Sequence, residues 1–585
     1  MVDKKARRDS GNAAGGLMGT MARFSLIALL SLMLSCEKKP PEITEIPGVA
    51  LDELVDKSEL TGSLQINCTS YQGTPVRKVL VNGEEHPLDQ SLNIEESGFY
   101  RLEIFLEGAG GDDPEVVRIV LLDEQRGEAD WGLRSWTPAV PPAGALGNRT
   151  VTLIHPKQVP REVNVPLVVL LGKDPDPEIK VLEASLGDRS FLIKQETGSI
   201  QIPPSLAGIA SISIDKRVIP FEFAFFEDPP QELGGTLTGD LHIAAGNHVR
   251  IVSDVTIPAG ITFSADSGVF LSIDPEVNIY CEGNILFRGS PQRPVTLTCS
   301  ESGKFWGGFI GTGTGNRLEA TNTIFSYSGF HTGDEFSYGH ANRQALVYNE
   351  TGTLKFDHCY FLDHAGQVFY PVSSSIEITR SLVQRAMTSG QLNQSEVSIR
   401  NTVFTDFPDD SYDYRDEDND ALYLMECNAT ITDCIFMFAK DDGLDSGGSG
   451  GGTVRVKNSR FAVIFHEGAA LSSGGEVTKH HIFSGCTFMN CGQGLELGYS
   501  SPNHLVTVDS CLFRDNGIGI RYGDNYTMQH RGMIQVSNSN SIFNESYDVW
   551  NMLRNTWSAD TIHMAFDNVY VTKLDPMYPQ LKLYE

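Results

Sequence analysis

A four-residue phrase recurs through the second half of this chain: a polar turn residue, a small residue, one variable position and an aromatic. It reads Asn322-Thr-Ile-Phe325, His358-Cys-Tyr-Phe361, Asn401-Thr-Val-Phe404 and Asp433-Cys-Ile-Phe436. It continues as Asn458-Ser-Arg-Phe461, Gly485-Cys-Thr-Phe488, Ser510-Cys-Leu-Phe513 and Asn540-Ser-Ile-Phe543, with Arg380-Ser-Leu-Val383 and Asp567-Asn-Val-Tyr570 as weaker members. Successive last positions lie 36, 22, 21, 32, 25, 27, 25, 30 and 27 residues apart. A unit of ~25 residues cannot bury a face alone, so such units must stack. Each phrase is read as one coil of a β-solenoid, paired to the next by parallel strands at about 4.8 Å. Phe325, Phe361, Phe404, Phe436, Phe461, Phe488 and Phe513 are expected to point inward as one ladder.

Upstream the pattern changes. Short alternating runs such as Val79-Leu-Val-Asn-Gly and Tyr100-Arg-Leu-Glu-Ile-Phe-Leu, broken by Asn-Gly and Gly-Gly turns, predict a small Ig-like β-sandwich over 59–135. A second sandwich is expected over 145–228, with Pro138, Pro141 and Pro142 marking a hinge between the two. Ahead of both, basic residues precede an apolar run from Phe24 to Leu34, too short to span a bilayer, which needs about 20 apolar residues. Met33-Leu34-Ser35-Cys36 resembles a bacterial lipobox, which implies a signal peptide over 1–36 and lipidation at Cys36. The proline-bearing stretch 37–58 then reads as a tether holding the protein at the cell envelope, outer membrane or cell surface. Residues 573–585 read as a C-terminal tail.

Two further segments, Val255-Thr-Ile-Pro-Ala-Gly-Ile-Thr-Phe263 and Phe305-Trp-Gly-Gly-Phe309, resemble with the repeat the coils of right-handed parallel β-helix proteins of the pectate-lyase-like superfamily. The resemblance covers about 235–572. It implies an all-β chain, a right-handed parallel β-helix preceded by two sandwiches, and is silent about activity. Cys359, Cys434, Cys486 and Cys511 share the small-residue slot of the repeat, so buried thiols are expected there, with a bridge such as Cys486–Cys491 or Cys427–Cys434 chemically open. His480-His481 reads as strand surface.

A second alignment carries chemistry. Asn419-Asp-Ala-Leu, Asp441-Asp-Gly-Leu-Asp445, His466-Glu-Gly-Ala-Ala and Gly492-Gln-Gly-Leu-Glu496 stack so that Asp420, Asp442, Glu467 and Gln493 form one column. Asn419, Asp441 and His466 form the column before it, and Asp445 and Glu496 lie three positions after. Carboxylates this close repel unless a cation neutralises them or one stays protonated. Oxygen donors in such number suit Ca²⁺. The expected metal ligands are Asp420, Asp441, Asp442 and Asp445, with Asp416, Asp418, Glu467 and His466 as further metal or substrate contacts. The longer interval of 32 residues holds an acidic loop from Asp409 to Asp420, in which Asp416, Asp418 and Asp420 alternate. A solvated acidic ledge is the alternative reading.

Asp441-Asp-Gly-Leu-Asp445 resembles the calcium-binding segment of some β-helix pectate lyases, which implies metal-assisted β-elimination on a uronate chain. A Lys or Arg base is then required; Lys440, Arg455, Lys457, Lys479 and Arg521 are candidates, and none has a decisive spacing. Paired-carboxylate hydrolysis is less well matched, since the Asn-Thr-Asp and Gly-His-Gly motifs of β-helix polygalacturonases are missing. Tyr412, Tyr414, Tyr423, Tyr499, Tyr522 and Tyr526 fall near the same strands and can stack on sugars, which leaves a glycan binder, a structural stalk or an adhesin open beside a lyase. With 45 basic and 75 acidic residues the net charge is −30, which excludes a nucleic-acid partner and leaves polysaccharide, possibly uronate-containing, with a membrane reached only through the lipid. Changing Cys36 to Ser is expected to abolish lipid labelling and release the protein from membranes. Retention of the Ser variant after a salt wash would refute the anchor.

Overall fold

The computed structural model describes residues 49–584, apart from 52–57, 61–63, 95–97, 109–113, 115, 123–135, 175–177, 207, 334, 412–413, 416, 475–476, 524–530, 552–562 and 576–577. Cys36, Tyr412, Asp416 and Tyr526 therefore lie outside the described residues. Among those described, 36 strands from Gln231–Thr236 to Lys582–Leu583 belong to one system, paired in parallel except for Ser337–Tyr338, which forms an antiparallel hairpin. This is a parallel β-helix. It takes in the segment read as a tail, because Lys582–Leu583 pairs with Tyr570–Val571 and Tyr578 and Leu581 join the core.

The repeat explains the coil. Its polar turn residue has a left-handed backbone in every coil: Asn322, His358, Arg380, Asn401, Asp433, Asn458, Gly485 and Ser510 all have positive φ, between 45° and 63°. Asn, Asp and Gly reach that region at least cost, which accounts for their frequency there. The small slot follows, and its side chain accepts a backbone N–H from the same slot one coil earlier. Ser381 Oγ accepts from Cys359 N (3.0 Å), Ser459 Oγ from Cys434 N (3.1 Å), and Ser539 Oγ from Cys511 N (3.0 Å). The aromatic then enters the lumen. Phe325 pairs with Phe361, then Val383, Phe404, Phe436, Phe461, Phe488 and Phe513 follow in unbroken register. Every ladder member is 0% exposed. The rings of Phe404, Phe436, Phe461, Phe488 and Phe513 stack at 4.6–4.9 Å within 3–6° of parallel.

The ladder ends earlier than the repeat predicts. Phe513 pairs with Ser541, not Phe543, which is 56% exposed, and Ser541 pairs with Val571, not Tyr570. The left-handed turn residues of these coils are Asn538 and Asn568, so the true phrases begin at Asn538 and Asn568 and the alignment slips by two residues and one residue respectively. The small slots are then Ser539 and Val569.

Each coil has three faces. The first, including Glu396–Arg400 and Gly452–Lys457, alternates exposed and buried side chains and meets solvent. The second carries the ladder inside and is apolar outside too, as Val403–Phe407 shows by burying all five residues. A strand buried on both sides needs a covering layer. Here it is the domain at 143–226, one eight-stranded sheet enclosing its own core, whose Ile154, Val168 and Ile179 pack on Ile324, Tyr360, Leu382, Val403 and Met437. Polar contacts ring that interface: Arg385 is bidentate to Asp363 (2.5 and 3.0 Å) and donates to Ser199 Oγ (2.7 Å). Lys194 sits between Asp406 and Asp409, whose charges outweigh the burial that opposes its cation. The proline segment before this domain is not a free hinge. Ala139 exchanges hydrogen bonds with the Asn490 side chain (2.7 Å each way), and Trp136 Nε1 donates to Glu545 Oε2 (3.0 Å).

The described cysteines are free and buried, so neither bridge considered from the sequence is present. His481 is also inside the helix, where Lys479, His481 and Phe483 alternate inward, and the strand-surface expectation fails for it. Phe461→Ala or Phe488→Ala should cost about 3–5 kcal/mol by emptying the lumen; a denaturant midpoint near that of the parent would count against the ladder.

Candidate functional site

The second face turns into the third at a corner, and the acidic residues gather there. Tyr423 pairs with Asp445, Leu444 with Ala469 and Glu467 with Gln493, which puts Asp420, Asp442, Glu467 and Gln493 in one column. Two of these carboxylates staple the coils. Asp420 Oδ1 accepts the backbone N–H of Asp442 (3.2 Å), and Asp442 Oδ1 accepts that of Glu467 (3.0 Å). Farther along, Gln493 donates to Glu467, and Arg521 Nη1 reaches Gln493 Oε1 (3.2 Å) and Glu496 Oε2 (3.0 Å).

His466 lies in the column beside them. Its Nδ1 is 3.2 Å from Asp441 Oδ1 and 3.5 Å from Asp442 Oδ1 and contacts Glu467 Oε2, while the Tyr414 ring meets it edge-on at 5.3 Å. Among the described residues, Asp441, Asp442 and His466 bring one ligand atom each within 4.8 Å of one another. Of the four expected metal ligands the structure therefore gathers Asp441 and Asp442 most tightly, adds His466, and leaves Asp445 three positions on. Asp418, expected in the same group, turns instead to His340 Nδ1 (3.2 Å).

Burial and crowding set the protonation states. Burial, then the charges of Asp441, Asp442, Asp445 and Asp418, push Asp420 well above the ordinary carboxylate range. Burial and the neighbouring Glu467 take Asp442 up to about 8, and burial with Asp442 raises Asp445 strongly. Glu467 rises to about 7 because burial outweighs the lowering effect of His466. For His466, burial works against the charge, but Glu467, Asp441 and Asp442 prevail and hold it well above the usual imidazole value. The corner thus gathers five carboxyl groups, Asp420, Asp441, Asp442, Asp445 and Glu467, around His466, with His340 and Lys479 offsetting only Asp445. Two buried polar atoms there also lack a partner, Asn419 Oδ1 and His466 Nε2. That donor set fits a hard divalent cation, with one nitrogen more than calcium ordinarily selects.

The cations weighed as a base are otherwise engaged or elsewhere. Lys440 donates to Ser411 O and lies 4.6 Å over the Phe465 ring. Lys479 is inside the helix, donating to Gly447 O, with burial lowering it to about 8. Arg455 and Lys457 stand on the solvent side of the first face. Tyr522, read as a ledge tyrosine, is fully buried in the lumen. His340 was missed by sequence reasoning. Its signal was the 36-residue interval, which holds a hairpin just as the 32-residue interval holds the acidic loop.

The raised groups fix the sign of a pH effect. Asp442, Glu467 and His466 each hold protons more tightly folded than unfolded, so their contribution to stability is greatest at low pH and is lost as pH rises through the folded values. Without divalent cations, the melting temperature should fall between about pH 5 and 8 more steeply for the parent than for Asp442→Asn. Equal slopes in the two proteins would overturn this assignment.

No family model matches the chain, and no curated protein matches it. Among solved structures it is similar to the periplasmic alginate epimerase AlgG, at 10% identity over 55% of this chain and 78% of that one, with a TM-score of 0.36. It is also similar to tailspike protein 3 of bacteriophage CBA120, at 10% identity over 58% of this chain and 56% of that one, with a TM-score of 0.30.

Proposed function

We propose that this chain is an exported, lipid-anchored β-helix protein that binds acidic polysaccharide at the corner ledge through a divalent cation, calcium being the ion of choice. The carrying observation is the surplus of buried carboxylate around Asp441, Asp442 and His466, beside the unpartnered Asn419 Oδ1. Asp441 and Asp442 would hold the ion, with Asp420, Asp445 and Glu467 supplying further oxygen. Bound there, the ion supplies the positive charge that allows a uronate carboxylate to approach an acidic wall. Cys36 carries the proposed lipid, which places the site in the cell envelope.

A second reading is a polysaccharide lyase, and one observation favours it. His466 presents Nδ1 to carboxylates that keep the ring protonated and leaves Nε2 without a partner, the arrangement of an acid that can donate from Nε2 to a departing oxygen. In that reading a base takes the proton from the carbon next to the uronate carboxylate, the electron pair forms a carbon–carbon double bond, and the glycosidic oxygen departs with the proton of His466 Nε2. An ultraviolet absorbance screen for the unsaturated uronate, with and without calcium, separates the lyase from the binder.

Calcium should raise the melting temperature by binding the native state preferentially. Asp442→Asn should reduce that gain while keeping the oxygen that accepts the Glu467 N–H. Asp509→Asn, in a turn where Ser537 and Asn538 satisfy the carboxylate, should not reduce it. Calorimetry showing no calcium binding at millimolar concentration would refute the cation site.

A further inference from the structure

One outward register position of the third face can be followed from coil to coil. Toward the N-terminal end it carries Tyr348, Tyr370, Gln391 and then Tyr423. Over these positions lies a hairpin closed by the pairing of Ser337 with Gln344 and Tyr338 with Arg343. The Tyr338 ring sits 5.5 Å from Tyr348 and 5.7 Å from Tyr370. His340 donates its backbone N–H to Gln391 Oε1 (2.9 Å), and its ring covers Tyr423 at 4.5 Å. Tyr348, Gln391 and Tyr423 are left only 6%, 5% and 5% exposed, while Tyr370 stays part-exposed beneath the Tyr338 ring.

Past Tyr423 the position opens at Asp445 and Ala470, both part-exposed. It closes again in the next three coils, where Glu496, Arg521 and Trp550 are 7%, 2% and 2% exposed. The open floor therefore lies between Tyr423 and Glu496, three strand spacings or about 14 Å. The Asp441, Asp442 and His466 group stands at its side.

We infer that the site is a slot closed at both ends, taking the terminus of an acidic glycan chain rather than its interior. This rests on the glycan-binding reading above. A polysaccharide running along the solenoid would have to pass where Tyr338 and His340 already stack on the sheet at one end, and over the buried Glu496, Arg521 and Trp550 at the other. The contact of His340 with Asp418 ties the hairpin to the acidic loop.

The test is calorimetry on the full chain with calcium, using polygalacturonate and hyaluronan of graded length alongside their short oligosaccharides. One protein per glycan chain is expected, with an affinity per chain that changes less than about threefold from oligosaccharide to polymer. A number of bound proteins that grows with polymer length would overturn the inference and leave the glycan-binding reading standing. Binding to neither glycan at any length would overturn both. The double variant Tyr338→Ala, His340→Ala opens only the N-terminal end, so the folded variant should keep one-per-chain binding but need a longer oligosaccharide to reach full affinity; length-dependent binding by it would show the far end open and overturn the inference. Should the variant fail to fold, the length series on the parent still decides.

Discussion

Backbone pairing between coils, repeated at about 4.8 Å, is the constraint from which the rest of this structure follows. It brings like residues into contact whether they attract or repel. For Phe404 through Phe513 the spacing sets ring centroids 4.6–4.9 Å apart, the distance of an offset parallel stack, and the rings fill the lumen. For Asp420, Asp442 and Glu467 the same spacing forces carboxylates together out of water. The solenoid tolerates this because two of them accept the backbone N–H groups of the following coil. The strain that remains is electrostatic, and it is concentrated at one corner.

The periodic part of the fold was legible because its causes are local. A left-handed turn favours Asn or Asp, the slot after it requires a small acceptor, and the ladder requires a large apolar group. Where a coil keeps the turn but changes the ladder residue, the reading slipped: Asn538 makes the turn, Ser541 takes the lumen position, and the conspicuous Phe543 is left outside. The acidic column was legible for the same reason as the ladder. Its neighbour His340 was not, because it reaches the corner from an insertion whose course no repeat dictates. His481 and Tyr522 were misplaced because a polar side chain in a solenoid lumen contradicts composition-based expectation and is fixed only by register with Val454 and Leu497.

The eight-stranded domain and the acidic loop belong to one arrangement. Lys194 holds Asp406 and Asp409 at the root of that loop, while Tyr414 and Asp418 farther along reach the corner. The covering domain therefore does more than shield an apolar face: it fixes one end of the segment that forms the wall of the site. Coil intervals of 36 and 32 residues mark the two insertions that make the corner different from every other stretch of the solenoid.

The small slot has a consequence for observing this molecule. Its thiols and those nearby are spread along the solenoid at Cys281, Cys299, Cys359, Cys427, Cys434, Cys486, Cys491 and Cys511, all enclosed. Burial also raises most of them, to about 11 for Cys299 and Cys427 and about 12 for Cys281, Cys434 and Cys491, so reactive thiolate is scarce. An alkylating reagent can then reach each sulfur only when its own coil separates from its neighbour. The chain carries a row of natural probes from which the breathing of a one-dimensional fold can be timed position by position.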